Sequence, residues 1–248
     1  MTKRPTTKLI LIRHGQSQWN LENRFTGWHD VDLTEEGEAE ARKAGELLKV
    51  AGVEPDLAFT SVLKRAIRTL WLALPAIDRC WIPTTKDWHL NERHYGALTG
   101  LNKQETRDKH GDEQVHIWRR SFDVPPPELD RSSEYHPVND AKYAGLDPAL
   151  LPGAESLKIT TDRVLPYFTS QIQPFVVGGS EVLISAHGNS LRALLKYLFQ
   201  VPDADIPGFE FPTGNPLLLE LEPETVRIVS AKYLDEDRAK ALPLIPDY

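Results

Sequence analysis

The chain has 248 residues, 40% hydrophobic and 26% charged, enough for one α/β domain with a full core. Its formal net charge of −7 argues against non-specific attraction to nucleic acid or an anionic membrane. A single cysteine, Cys80, rules out an internal disulfide and suits a reducing cytoplasm, with a small buried apolar role expected for it.

Residues Met1 to Lys8 are polar, and the apolar run Leu9-Ile10-Leu11-Ile12 is too short for a signal-peptide core or a membrane span. Four consecutive apolar residues predict a parallel strand buried on both faces. Such a strand delivers its next residues, Arg13-His14-Gly15-Gln16-Ser17, to the crevice outside its carboxyl end, where open α/β sheets bind ligands. A neutral His can attack phosphorus, an adjacent Arg can grip phosphate oxygens with its planar fork, and Gly15 lets the backbone approach an anion.

Thr34 is placed to cap a helix over 35–51, with Glu35 and Glu36 in its first turn and Gly52 at its stop. Leu57 to Thr60 reads as a strand, and 62–77 as a helix with Arg65 in its first turn. Trp81-Ile82-Pro83 predicts an edge strand, because Pro83 removes a ladder donor. From Trp88 to about Asn139 the strand–helix alternation lapses, with a charged helical stretch near 103–110 and the breaker Pro125-Pro126-Pro127; this reads as an insertion over the crevice. A helix over 155–169 is expected to end before Pro174. Val182 to Ala186 is a second buried-strand run, and it too ends in His-Gly, at His187-Gly188-Asn189. A helix over 190–199 and strands at 217–221 and 226–229 complete a three-layer α/β/α sandwich with a mostly parallel sheet, one domain over 1–248. The last residues carry Pro243 and Pro246 and suit a fixed extended strap better than a moving lid.

Two imidazoles at two strand ends suit phosphoryl transfer, which needs positioning and charge stabilisation. The arrangement resembles the histidine phosphatase superfamily. Asn20, the runs Asn23 to Trp28, Thr60 to Ala66, Leu90 to Gly96 and Gly100 to Lys103, with Trp118-Arg119-Arg120 and Ala186 to Ala193, are similar to the 2,3-bisphosphoglycerate-dependent phosphoglycerate mutases. The match runs from about Lys8 to Tyr233.

That resemblance implies interconversion of 3-phosphoglycerate and 2-phosphoglycerate, primed by 2,3-bisphosphoglycerate. It implies His14 as nucleophile, His187, Arg13 and Arg65 as neutralising groups, and Glu92 as proton-transfer group. Substrate contacts are implied at Arg13, Asn20, Thr26, Gly27, Arg65, Glu92, Arg93, His94, Tyr95, Lys103, Arg119, Arg120, Gly188 and Asn189. No metal is expected, since no cysteine pair or His-Glu-x-x-His spacing exists, and no Gly-x-x-x-x-Gly-Lys loop indicates a nucleoside triphosphate. The expected partners are small phosphoglycerates, and self-association as a homodimer or homotetramer stays open. The alternatives are a phosphatase of the same superfamily, a bisphosphoglycerate synthase, and a catalytically dead phosphate-binding regulator. Lys103 with Arg119-Arg120 speaks against the first, and Ser17 with Thr26 against the second. The third would have lost His14, His187 or Glu92, and all three are present.

Overall fold

A computed structural model describes residues 6–248; part of the polar stretch before the first strand lies outside the described residues. Strands β1 (Thr7–Arg13), β2 (Leu57–Thr60), β3 (Thr84–Lys86), β4 (Val182–Ala186), β5 (Leu217–Leu221) and β6 (Ile228–Tyr233) form one sheet in the order β3-β2-β4-β1-β5-β6. β1, β2, β3 and β4 pair in parallel, and β5 is antiparallel to both β1 and β6.

The uninterrupted apolar run of β1 has a direct cause. Leu9 and Leu11 face one core and Ile10 and Ile12 the other, all fully buried. Helices α2 (Glu35–Val50) and α3 (Lys64–Ala73) cover the Ile10 face through Ala44, Leu48 and Leu70. Helices α6 (Leu157–Tyr167) and α8 (Gly188–Leu198) cover the other through Leu157, Val164, Leu191 and Leu194. With helices on both sides of the sheet, the fold is the expected three-layer α/β/α sandwich. Thr34 caps α2, its hydroxyl accepting from the Gly37 amide at 3.0 Å.

Several sequence expectations shift. The edge strand begins just after Pro83, at Thr84, and Pro83 contributes its carbonyl to the Ala58 amide at 2.9 Å. α3 stops at Ala73 and tightens into a 3₁₀ turn over Leu74–Ile77 that holds Pro75. The helix expected to end near 169 runs on. After α6, a π turn at Phe168–Ile172 leads directly into α7 (Gln173–Val177), which carries Pro174 in its first turn. The wide turn absorbs a ring that would clash in a regular α-helix interior. α8 starts at Gly188 and β6 at Ile228, each two residues from expectation. Cys80 is exposed, because it sits in the turn before β3 rather than against the core.

Between β3 and α6 no residue joins the sheet. Helices α4 (Lys103–His110) and α5 (Asp112–Arg120) and a set of 3₁₀ turns occupy this stretch; a short helix α1 (Gln18–Leu21) follows β1, outside it. Two small apolar clusters anchor the stretch, Phe25 with Leu98 and Val115, and Trp28 with Tyr143 and Leu151. At the other end of the chain, the Tyr248 hydroxyl donates to the Leu198 carbonyl at 3.3 Å and accepts from the Ile228 amide at 3.2 Å. Leu242 packs on the α6–α8 core. The terminal segment therefore straps the outer edge of the sheet.

Candidate active site

The parallel register fixes where the chemistry collects. Arg13 pairs with Ala186, and Thr60 with Ser185, so the next residues of β1, β2 and β4 emerge together. They are His14, Ser61 and His187. The His14 amide donates to the Ala186 carbonyl at 3.0 Å, carrying the ladder one step past the strand.

The His14 Nδ1 lies 2.7 Å from the Gly15 carbonyl. A carbonyl only accepts, so Nδ1 carries the hydrogen and Nε2 presents a lone pair. Burial, then the charges of Arg65 and Arg13, lower its pKa well below the ordinary histidine value. The ring is therefore neutral and nucleophilic at neutral pH. His187, whose ring centroid is 5.0 Å away, is also held neutral by burial and by Arg65. Its Nε2 is 2.7 Å from the Ser61 hydroxyl. It is fully buried behind the cleft rather than on its wall.

Gly15 serves a different purpose from the one its sequence suggests. A Cβ there would sit 2.1 Å from the Gly37 carbonyl oxygen on α2, and its amide donates to Thr69 Oγ1 at 3.1 Å. The glycine pair lets β1 and α2 approach; the Gly15 amide is not free for an anion.

Arg65, from the first turn of α3, is fully buried. It donates to the Gly27 carbonyl at 2.7 Å and the His29 carbonyl at 3.0 Å, with Nε 3.4 Å from His14 Nε2. Burial brings it down to about 10, which leaves it charged at neutral pH. Arg13 is steadied by the Phe211 carbonyl at 2.7 Å, and its Nε is buried without a partner.

Glu92 enters from the turn after β3. Its Oε1 accepts from the Arg93 amide at 2.8 Å and from Asn189 twice, from the backbone at 3.1 Å and the side chain at 2.8 Å. Burial pushes the carboxyl up, but those donors and the charges of Arg65 and Arg13 outweigh it and hold the pKa below the usual value. Oε2 is left for a proton. Tyr95 lies beside it. Burial would raise the phenol, yet the Arg93 guanidinium, 4.7 Å from the ring, and other cations bring it down to about 8.

One cleft joins these groups. Its walls include Arg13, His14, Asn20, Thr26, Gly27, Arg65, Glu92, Tyr95, Lys103, Arg119, Arg120, Gly188 and Asn189, all singled out from sequence. Besides His187, two others are not on the wall. Arg93 is buried beneath it, donating to the Arg119 carbonyl at 3.0 Å. His94 is buried with its Nδ1 accepting from the Gly96 amide at 3.0 Å, and burial takes its pKa down to about 4. Both are turned away because Glu92 and Tyr95 occupy the cleft side of the same turn.

Sequence reasoning missed Arg24, Arg192, Glu210 and Phe211 on the wall, and Ser61 behind it. Arg192 had a usable signal, lying three residues after Asn189 on α8 and so on the same helix face. Glu210, which pairs with Arg120, had none.

A model of the histidine phosphatase superfamily (branch 1) matches residues 9–140. The chain is 62% identical over 239 residues to a 2,3-bisphosphoglycerate-dependent phosphoglycerate mutase of Maricaulis maris (strain MCS10), covering 96% of this chain and 98% of that one. It is 61% identical over 237 residues to the enzyme of the same name from Caulobacter vibrioides (strain NA1000 / CB15N), with 96% and 98% covered. Among solved structures it is similar in fold to Bacillus stearothermophilus YhfR, with TM-score 0.65, 25% identity, and 90% and 95% covered. It is similar also to a mycobacterial glucosyl-3-phosphoglycerate phosphatase complexed with VO3, with TM-score 0.64, 24% identity, and 86% and 92% covered. With a family match over half its length and near-complete matches at this level of identity, the chain belongs to the histidine phosphatase superfamily, among its 2,3-bisphosphoglycerate-dependent phosphoglycerate mutases.

Proposed function

We infer that this chain interconverts 3-phosphoglycerate and 2-phosphoglycerate through a phosphohistidine on His14, with 2,3-bisphosphoglycerate as the donor that first loads it. The observation that carries the reading is the unprotonated Nε2 of His14 in a cleft whose wall brings Arg13, Arg24, Arg65, Lys103, Arg119, Arg120 and Arg192 together. In the priming step a P–O bond of the donor breaks as Nε2 forms a P–N bond, and Arg13 and Arg65 stabilise the charge on the transferring group, with the neutral His187 packed behind His14. The departing oxygen takes a proton from the acid form of Glu92. The monophosphoglycerate formed then presents its other hydroxyl. That hydroxyl passes its proton to Glu92 Oε2 as it attacks phosphorus, and the P–N bond breaks. The depressed pKa of Glu92 favours the carboxylate once the departing oxygen has taken its proton, which is the base form the second transfer needs.

The cations remote from His14, namely Lys103, Arg119 and Arg120, suit the carboxylate and the phosphate that is not in transit. A phosphatase has no need of that second anchor. The described chain acts as one catalytic domain, with the stretch between β3 and α6 covering the cleft. It works in the cytoplasm, and its guanidinium groups supply the positive charge that a metal ion would otherwise bring. A coupled assay of 3-phosphoglycerate conversion, run with and without added 2,3-bisphosphoglycerate, tests this. Conversion that depends on the bisphosphate is expected; release of inorganic phosphate without isomerisation refutes it.

A further inference from the structure

The turn that carries Glu92 has only a 3₁₀ turn at Trp88–Leu90 for regular structure. Several of its carbonyls point inward toward one side chain, Arg163 of α6. Arg163 Nη1 donates to the carbonyls of His89 at 2.7 Å, Trp88 at 3.3 Å and Asn91 at 3.3 Å. Its Nη2 reaches those of Glu92 at 3.3 Å and Asn91 at 3.4 Å. Glu155 closes the other side. Its two oxygens accept from Arg163 Nε at 2.7 Å and Nη2 at 2.9 Å. Glu155 Oε2 also accepts from the His94 amide at 2.8 Å, and the Glu155 amide donates to the His94 carbonyl at 2.9 Å. The two side chains are 7% and 1% exposed, and neither residue lines the cleft. Trp28 completes the bracket. Its indole donates to the Glu92 carbonyl at 2.6 Å, and its ring lies 5.3 Å from the Arg163 guanidinium carbon.

We propose that the buried Glu155–Arg163 pair is a positioning device that holds the backbone on both sides of Glu92, so that one carboxylate oxygen is pinned and the other faces the reacting group. This rests on the assignment of Glu92 as the proton-transfer group. A buried ion pair contributes little net stability relative to apolar packing of the same volume. Its contribution here is geometric. One planar fork satisfies the carbonyls of Trp88, His89, Asn91 and Glu92, and only a guanidinium can do so from one side. Without it, the Arg93 amide and Asn189 no longer meet Glu92 Oε1 at their present distances.

The test is a double-mutant cycle on the full chain. Arg163→Lys keeps the charge and loses the fork, and is made alone and with Glu92→Gln. A misplacement of about 1 Å in a catalytic group costs on the order of 10²-fold. Arg163→Lys should therefore lower kcat by about that factor with KM little changed, and move the acid limb of the kcat profile to higher pH. In the Glu92→Gln background the same substitution should cost almost nothing further, because what it positions is already disabled. If the two losses multiply, or the acid limb stays put, the clamp is overturned while the role of Glu92 stands. If Glu92→Gln alone leaves kcat unchanged, the acid–base reading itself falls. Glu155→Gln, which keeps the side-chain shape, is read in parallel. Failure of both single variants to fold would mark the pair as a folding element and overturn the proposal.

Discussion

Asn189→Ala is the most informative single perturbation of the cleft. Asn189 was expected to donate to substrate, yet its side-chain amide donates to Glu92 Oε1 at 2.8 Å. The substitution removes that bond and leaves the backbone donor at 3.1 Å. A hydrogen bond to a charged group is worth about 1.5–3 kcal/mol, and one pKa unit corresponds to about 1.36 kcal/mol. Glu92 should therefore take up its proton at higher pH than in the parent, less so if water replaces the amide. Because the folded-state pKa is depressed in the parent, Glu92 contributes stability above its unfolded value and loses it as pH falls through the folded value. The variant should thus be less stable than the parent at neutral pH, with the gap closing in acid. Mutase turnover measured from acid to neutral pH should show its acid limb displaced upward. An unmoved limb, with stability changed at all pH values alike, would refute the account of how Glu92 is kept ionised.

Other expectations are simpler. His14→Ala should abolish turnover, and the parent incubated with 2,3-bisphosphoglycerate should give an acid-labile, base-stable phosphoprotein; phosphate mapped to another residue would sink the mechanism. Activity should survive EDTA and be inhibited by vanadate, which can adopt the trigonal bipyramid of the transferring group; loss with EDTA that a divalent ion restores would contradict the all-guanidinium site. Cutting the chain after Ala241 removes the Tyr248 bonds and the Leu242 packing and should lower stability by at least about 1–3 kcal/mol, the worth of the two neutral hydrogen bonds alone, with the mutase-to-phosphatase ratio unchanged. A rise in bisphosphate hydrolysis relative to mutase turnover would make the segment a lid after all.

The sheet was legible because burial on two faces leaves an unmistakable mark: Leu9 to Ile12 and Val182 to Ile184 have no polar break, and both cores need them. The strand ends could be placed from those runs, and with them His14 and His187. Residues whose partners are distant in sequence were harder. Nothing local says that Arg163 reaches back to the Glu92 turn, because a guanidinium inside a helix looks the same whether it meets water or carbonyls. That Arg93 and His94 lie buried off the cleft wall was hidden for a related reason, since in an irregular turn no periodicity tells which side chains face the cleft. Pro174 misled because a proline signals a helix end unless a π turn makes room for it.

The division of the cleft between sheet and cover gives its two sides unequal resistance to opening. His14 and His187 are rooted in central strands whose amides should exchange with deuterium only on global unfolding, so the nucleophile cannot be lost by local fluctuation. Lys103 and Arg119 ride on α4 and α5, held by the small cluster around Phe25, Leu98 and Val115, and that unit can open at lower cost. A phosphoglycerate bound across both therefore fastens the looser part to the firmer one. Its clearest footprint in exchange should fall on the amides of α4 and α5, far from the phosphorus it delivers.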